Sequence, residues 1–133
     1  MSKHEIYVQP GKKFFYNGIG LNIAGRVLEI ISKKSFDQLI AQKIFRPLNM
    51  RNSTFYNERA VNPSGGCQST ATDYMNFLQM ILNKGMFNGK RILSEAAVEA
   101  MQQAHATQDM IAYAPKAAEG FDYALGEWIL EKD

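Results

Sequence analysis

Residues 10–25 read Pro-Gly-Lys-Lys-Phe-Phe-Tyr-Asn-Gly-Ile-Gly-Leu-Asn-Ile-Ala-Gly, and the pattern of the sequence changes within this stretch. On its N-terminal side, Ile6-Tyr7-Val8 is a short β-prone piece and Pro10-Gly11 is a turn signal, so residues 1–13 are expected to form an extended lead-in. On its C-terminal side, apolar residues recur at helical spacing. This change predicts a helix from about Gly18 to Ser32.

The predicted first helix combines an apolar face with three glycines. The apolar face is formed by Ile19, Ile23, Val27, Ile30 and Ile31. Gly18, Gly20 and Gly25 each lower the helix propensity by up to ~1 kcal/mol relative to alanine. Three glycines in one helix therefore suggest close packing, or a required approach of the backbone near the start of the helix.

Two further helices begin at capping-box patterns. Ser35 with Gln38 predicts a second helix, and Pro47 ends it because the residue before a proline is pushed out of the α region. Thr70 with Asp73 predicts a third helix in the same way. Residues 49–69, between these helices, are rich in Asn, Ser, Pro and Gly and are expected to be irregular.

After the third helix, Gly85 is expected to act as a C-cap, and residues 87–90 form a turn. Ser94 then caps a fourth helix through about Gln103, and residues 104–120 are expected to be a loop. Residues 123–130 alternate in the manner of a β-strand. A lone strand is unstable, so this one is expected to pair with residues 6–8, with another chain, or with a sheet lying in other sequence.

The predicted fold class is mainly α, with about four helices and a short C-terminal β-strand. The 133 residues correspond to one domain, and the apolar fraction of 46% excludes a disordered chain. The net charge of +2 comes without a cluster of basic residues, which predicts no nucleic-acid partner. No apolar run approaches the ~20 residues of a transmembrane helix, and the N-terminus is not expected to be a signal peptide.

No serine of the chain has a lysine at the third following position, which is the spacing that lets an amine activate a helix-borne hydroxyl. With the serines excluded, Cys67 is the remaining candidate nucleophile. His4 or His105 would act as its base, and the helix N-terminus that follows Cys67 would lower the pKa of the thiol. The alternative is a small buried cysteine under a glycine turn, which is favoured because nothing local orients a histidine.

Metal and cofactor sites are not predicted. His4-Glu5 and the pair His105 and Asp109 are the only imidazole–carboxylate neighbours, and no H-x-x-x-H or C-x-x-C occurs. Gly18-x-Gly20 lacks the preceding strand and the third glycine of a dinucleotide fingerprint. The expected cofactor and metal content is therefore none.

Four segments, in order, resemble one family. Residues 10–25 resemble the P-G-x-x-F-x-Y-S-N-x-G-Y-x-L-L-G segment of class C-type β-lactamases and related D-alanyl-D-alanine peptidases and esterases. Residues 44–54 are similar to i-f-x-P-L-G-M-x-x-T, residues 65–74 to G-G-l-x-S-T-a-x-D-l, and residues 123–128 to Y-G-L-G-W. The similarity covers about residues 10–130.

The resemblance implies the helical portion of the α+β β-lactamase/transpeptidase-like fold, in a serine hydrolase that forms an acyl-enzyme with a β-lactam, a D-Ala-D-Ala-like peptide or an ester. Tyr16 matches the catalytic tyrosine of the family's Y-x-N motif, which shuttles the proton between nucleophile and leaving group. The substrate-contacting asparagine of that motif is replaced by Gly18, and Asn17 lies one position early. Asn17 and Gly18 are therefore candidate substrate-binding positions.

The nucleophilic serine and its lysine lie N-terminal to this region in the family, and the K-T-G or H-x-G strand lies C-terminal to it. The resemblance therefore implies that residues 1–133 form a single partial domain of a hydrolase, inactive alone, whose parent takes a small-molecule or peptide substrate. A parent of this family is typically periplasmic or secreted. The alternative is a non-catalytic binding or scaffold module, and a homodimer through the apolar face or the 123–130 strand is expected in either case.

Overall fold

The structure is a computed structural model, and it describes residues 8–55 and 61–130. Ile6-Tyr7 and the pairing expected for it lie outside the described residues. The chain separates into two compact units. Of the described residues, the central unit comprises residues 17–55 and 61–98, and the terminal unit comprises residues 8–16 together with residues 99–130.

The described residues contain four α-helices, which are α1 (Ile19–Ser32), α2 (Phe36–Ile40), α3 (Ala71–Leu82) and α4 (Glu95–Gln102). They also contain eight short strands, which are β1 (Phe14–Phe15), β2 (Thr54–Phe55), β3 (Cys67–Gln68), β4 (Met86–Phe87), β5 (Lys90–Arg91), β6 (Ile111–Tyr113), β7 (Asp122–Tyr123) and β8 (Trp128–Ile129). The strands form four two-stranded sheets. The prediction of four helices is therefore confirmed, and the strands make the fold α+β.

The core of the central unit lies around α3 and the loops that flank it. Its buried side chains are Phe45, Leu48, Met50, Met80 and Phe87. Leu48 and Met80 are fully buried. The Asn76 side chain on α3 donates a hydrogen bond of 3.0 Å to the Leu48 carbonyl, which ties the helix to the segment after Pro47.

The second helix differs from the prediction in two ways. After α2 the chain continues as a π-helical turn over Ala41–Phe45, in which Arg46 N–H donates to the Ala41 carbonyl. Ser35 makes no side-chain cap. Instead, Phe36 N–H donates to the Glu29 carboxylate at 2.9 Å, because Glu29 on α1 reaches the start of α2. The pKa of Glu29 is lowered mainly by the hydrogen bond from Arg26 and secondly by the hydrogen bond from Phe36.

A buried carboxylate joins α3 to the segment that precedes β2. Thr70 Oγ1 accepts from Asp73 N–H, which confirms the predicted N-cap of α3. The Asp73 carboxylate, only 3% exposed, accepts from Asn52 N–H at 2.7 Å and from the Ser53 hydroxyl at 2.8 Å. The hydroxyls of Ser53 and Ser69 lie 2.7 Å apart. The buried carboxylate is therefore satisfied by two donors from the start of the 49–69 segment, and Ser69 contacts one of them.

Residues 49–69 are more regular than the sequence suggested. Strands β2 and β3 pair antiparallel, with Thr54 opposite Gln68 and Phe55 opposite Cys67. The prediction of an irregular segment was wrong at these positions, because strands of two residues carry too little alternation to be recognised in a sequence. Residues 56–60 lie outside the described part of the chain.

The turns after α3 follow the sequence signals except at the end of the helix. Asn83 is the C-cap of α3, so the prediction of Gly85 as the C-cap was wrong, because Lys84 already takes the left-handed conformation that ends the helix. Gly85 has a φ of 87°, and a Cβ at this position would lie 2.2 Å from the Leu93 carbonyl oxygen, so only glycine fits. Strands β4 and β5 are joined by Asn88 and Gly89, both with positive φ, as a type I′ hairpin turn requires. Ser94 caps α4 by accepting from Ala97 N–H, as predicted.

The terminal unit differs from the sequence prediction in two segments. Residues 104–120, expected to be a loop, contain β6, which pairs in parallel with β1, and a 3₁₀ turn at Lys116–Ala118. Residues 123–130 were predicted as one strand, but β7 and β8 form an antiparallel hairpin. Gly126 has a φ of 96°, and Ala124 N–H donates to the Glu127 carbonyl at 2.9 Å, so the chain turns back where the alternation suggested continuity.

None of the helices in residues 8–55 and 61–130 combines the length and the apolar character needed to cross a bilayer.

Replacing Asp73 with alanine is expected to lower the free energy of unfolding by roughly 1–3 kcal/mol, because two part-buried hydrogen bonds would lose their acceptor. Urea unfolding followed by circular dichroism measures this change. Glu99→Ala, an exposed carboxylate on α4, is the control and is expected to change stability by less than about 0.5 kcal/mol. Equal effects of the two substitutions would contradict the assigned role of Asp73.

Candidate active site

Tyr16 follows β1 and lies in a cluster of aromatic rings in the terminal unit. Its backbone N–H donates to the Tyr113 carbonyl at 3.0 Å, which extends the β1–β6 pairing by one residue. Its ring centroid lies 5.8 Å from that of Tyr123 and 5.4 Å from that of Trp128. Phe14 packs on Tyr123 at 4.7 Å. We call Phe14, Tyr16, Tyr123 and Trp128 the aromatic cluster.

The two phenols of the aromatic cluster differ in their surroundings. Tyr16 is 38% exposed, whereas Tyr123 is half-buried. Burial raises the pKa of Tyr123, and the neighbouring Tyr16 phenol raises it further, while a hydrogen bond from the Gly126 backbone acts in the opposite direction. Tyr123 therefore keeps its proton near neutral pH, and Tyr16 is the more accessible phenol.

Asn17 begins the central unit and acts at the start of α1. Its side-chain oxygen accepts a hydrogen bond of 3.0 Å from Ile19 N–H, which satisfies one of the free donors at a helix N-terminus. The carboxamide oxygen predicted to contact substrate is thus used by the chain itself. Tyr16 belongs to the terminal unit and Asn17 and Gly18 to the central unit, so each is placed within its own unit.

Gly18 lies against the loop that precedes β3. A Cβ at position 18 would lie 2.6 Å from the Ser64 hydroxyl oxygen and 3.0 Å from Ser64 Cβ. The Ser64 hydroxyl is held by donation to the Asn62 side chain at 2.8 Å, and Ser64 N–H donates to Asn22 on α1 at 3.1 Å. The space where an asparagine side chain at position 18 would begin is therefore filled by Ser64.

The close packing expected from the glycines of α1 is present at two of the three positions. A Cβ at Gly25 would lie 2.4 Å from a side-chain carbon of Pro63, and Gly18 meets Ser64 as described. A Cβ at Gly20 would meet nothing within 4 Å. Gly18, Asn22 and Gly25 share one side of the helix, so the loop at residues 62–64 lies on the side opposite the predicted apolar face.

Cys67 differs from both readings of the sequence. It lies on β3 and is exposed, so the favoured prediction of a buried cysteine was wrong. Desolvation raises the pKa of its thiol, which opposes formation of the reactive thiolate. His105 is held by a contact of 2.7 Å between its Nε2 atom and the Ala100 carbonyl. His4 lies outside the described residues.

Within the described part of the chain, no three of the His, Cys, Asp and Glu side chains lie close enough to hold a metal ion.

The comparison with protein families decides what this arrangement belongs to. The family model described as β-lactamase matches residues 1–130 of the chain. The chain belongs to the β-lactamase family. This confirms the resemblance drawn from the four sequence segments.

Relatives of known sequence or structure agree with the assignment. Penicillin-binding protein 4 of Amycolatopsis lactamdurans is 25% identical, over 71% of this chain and 32% of its own length. The crystal structure of a β-lactamase-like protein of Bacteroides dorei DSM 17855 superposes with a TM-score of 0.75 at 32% identity, covering 95% of this chain and 41% of that one. A β-lactamase/D-alanine carboxypeptidase of Yersinia pestis has the same fold, with a TM-score of 0.68 at 21% identity over 95% of this chain and 41% of that one. The chain thus spans less than half the length of these proteins.

The sequence pattern predicts Tyr16 as a candidate site residue, but it does not predict which residues surround it in space. Tyr123 and Trp128 were recognised only as strand residues, although both belong to the Y-G-L-G-W resemblance. Ser64 was not recognised at all, because its contact with Gly18 joins positions 46 residues apart. No local pattern encodes such a contact.

The substitution Gly18→Asn is expected to destabilise the chain by about 1–3 kcal/mol, because the new side chain would displace Ser64. The backbone at Gly18 has a φ of −81° and accepts any residue, so the cost comes from the contact alone. Thermal unfolding measures the change.

Gly20→Asn is the matched control on the same helix and is expected to leave stability nearly unchanged. The double substitution Gly18→Asn with Ser64→Gly should recover most of the stability lost by Gly18→Asn. A cost at position 18 that is independent of Ser64 would refute the contact as its cause.

Proposed function

We propose that this chain supplies the tyrosine-bearing portion of a serine hydrolase of the β-lactamase family. Tyr16 carries the proton between the nucleophile and the leaving group during acyl transfer. The observation that carries the proposal is the position of Tyr16, which matches the family's Y-x-N tyrosine and keeps 38% of its surface exposed. A proton carrier must be able to reach the reacting atoms, and this exposure is compatible with that role.

The chain is proposed to be inactive alone. A phenol has an ordinary pKa of ~10, and it exchanges protons efficiently near neutral pH only when nearby cations favour its charged form. The ring neighbours of Tyr16 in the aromatic cluster are uncharged. The Ser-x-x-Lys pair, which would provide both the nucleophile and the cation, does not occur in the 133 residues, and neither does K-T-G or H-x-G.

The proposed reaction has three candidate substrate classes, which are β-lactams, D-Ala-D-Ala-like peptides and esters. All three contain an acyl group that a serine can accept with formation of an acyl-enzyme. The name of penicillin-binding protein 4, to which the chain is 25% identical, is consistent with the first class. Asn17 and Gly18 are proposed as positions near the substrate, with Asn17 oriented by its hydrogen bond to Ile19.

A second candidate function is a non-catalytic binding or scaffold module derived from the family. The apolar face of α1 favours it, because all five of its side chains are exposed. Their exposed fractions range from 47% to 74%, for Ile19, Ile23, Val27, Ile30 and Ile31. Together they form one exposed apolar stripe along the helix, and contiguous exposed apolar surface is typical of interaction sites. A second copy of the chain is the proposed partner, through this face or through the hairpin at residues 122–129.

The chain alone is expected neither to hydrolyse nitrocefin nor to be acylated by a fluorescent penicillin. Intact-mass spectrometry checks for a covalent adduct, and a stoichiometric serine adduct would contradict this prediction. A chimera tests the proposed role of Tyr16 directly. In it, this chain replaces the matching 41% of the Bacteroides dorei protein, with which it is 32% identical.

The chimera is expected to hydrolyse an acyl substrate of the recipient protein, and Tyr16→Phe to lower kcat by about 10²–10⁴-fold. Tyr74→Phe, on α3, is the matched control and should retain activity. A Tyr16→Phe chimera as active as the parent chimera would refute the catalytic role of Tyr16.

Self-association is expected in solution through the apolar face of α1. Ile23→Glu combined with Ile30→Glu should shift the chain to a monomer in sedimentation velocity, because two charges would be buried in the dimer. Leu82→Glu, at an 80% exposed position on α3, is the control and should leave the dimer intact. A wild-type chain that is monomeric at all concentrations would contradict the proposal.

A further inference from the structure

We propose that Tyr123 and Trp128, on the β7–β8 hairpin, are positioning residues that hold the ring of Tyr16 in the orientation needed for proton transfer. This inference rests on the proposed catalytic role of Tyr16 and adds to it the residues that fix the phenol. It concerns the terminal unit alone, because all members of the aromatic cluster belong to that unit.

The rings of Tyr16, Tyr123 and Trp128 all contact one another. Tyr123 and Trp128 are directly opposite each other in the β7–β8 pairing, and their ring centroids lie 4.8 Å apart. Tyr16 meets Tyr123 edge-on, with an interplanar angle of 78°, and meets Trp128 at 43°. Edge-to-face and tilted contacts at these distances are the favoured arrangements of aromatic pairs. The ring of Tyr16 is therefore restricted by two neighbours that are themselves in contact.

The hairpin is tied to the preceding part of the terminal unit by backbone hydrogen bonds. Tyr123 N–H donates to the Ala106 carbonyl at 2.8 Å, and the Tyr123 carbonyl accepts from both His105 and Ala106. Leu125 N–H donates to the Met101 carbonyl at 3.2 Å, which attaches the turn to the end of α4. A positioning surface must be more rigid than the group it positions, and these hydrogen bonds meet that requirement.

The two phenols also differ in how far they can reach other groups. Tyr123 is half-buried among rings, and burial raises the pKa of its phenol. Tyr16 is the more exposed of the two. The pair therefore combines one phenol that packs with one that is accessible, which fits a positioning role for Tyr123 and a proton-carrying role for Tyr16.

The test uses the 133-residue chain with tyrosine labelled by carbon-13 at Cζ, observed by NMR. Tyr16→Phe assigns the Tyr16 signal. Trp128→Leu is expected to shift the Tyr16 signal and to increase its ring motion, because the indole that contacts Tyr16 is lost. Trp128→Phe, which keeps an aromatic ring, should give a smaller change. Tyr113→Phe is the control, since Tyr113 is exposed and lies outside the aromatic cluster.

A pH titration supplies a readout that packing alone would not move. In the Tyr16→Phe chain the pKa of Tyr123 should fall toward its ordinary value, because the electrostatic repulsion from an ionised Tyr16 is removed while burial remains. The same titration of the Tyr113→Phe chain should leave Tyr123 unchanged. If Tyr123 titrates identically in the presence and absence of the Tyr16 hydroxyl, the coupling between the two phenols is refuted.

Circular dichroism establishes that each variant is folded, and if Trp128→Leu unfolds the chain, Trp128→Phe decides the result. An unchanged Tyr16 signal in a folded Trp128 variant would overturn the positioning role, even if Tyr16 is essential in the chimera. Loss of the Tyr16 restraint together with an active Tyr16→Phe chimera would instead refute the proposed function and retain the contact. The two failures are therefore distinguishable.

Discussion

The Asp73 carboxylate is the interaction on which the central unit depends most. It is the one charged side chain that is buried in the described residues, and burying a charge is costly unless hydrogen bonds compensate it. One oxygen of the Asp73 carboxylate accepts hydrogen bonds from Asn52 N–H and from the Ser53 hydroxyl. The Asp73 N–H donates a hydrogen bond to Thr70 Oγ1. Because these contacts join the segment before β2 to the start of α3, the core residues on both sides are held in one arrangement.

The hydrogen bonds of Asp73 bring together two of the four segments that resemble the family. The segment at residues 44–54 contributes Ser53, and the segment at residues 65–74 contributes Ser69, Thr70 and Asp73. Polar residues in a motif are often taken as catalytic, yet here they serve to satisfy a buried group. The resemblance at these two segments therefore reports on the fold, whereas the segment that contains Tyr16 is the one to which we assign a catalytic role in our proposal.

The sequence predicted what depends on local pattern. Neighbouring residues were enough to predict the extent of α1, the start of α3 at its Thr70 cap, the Ser94 cap and the Asn88-Gly89 turn. Prediction from the sequence failed where a residue distant in the sequence determines the local structure. Phe36 is capped by Glu29 from the preceding helix instead of by Ser35, and β1 finds β6 in a segment without recognisable alternation. Gly126 reverses the chain inside a stretch whose alternation suggested one continuous strand.

The same division applies to the candidate site. Tyr16 was recognised because its neighbours in the sequence match a family pattern. Its spatial neighbours Tyr123 and Trp128, and the replacement of a side chain at Gly18 by the Ser64 hydroxyl, required the structure because they depend on contacts between distant positions.

The pairing of β1 with β6 also bears on the order in which the chain folds. Phe14 lies opposite Ile111, which follows it by roughly a hundred positions, and closing a loop of this length costs entropy before any contact repays it. The central unit is contiguous in the sequence and can form its core while the chain is still being synthesised. The terminal unit must wait for its second half, so the ring of Tyr16 acquires its neighbours only after the residues of the central unit have been synthesised.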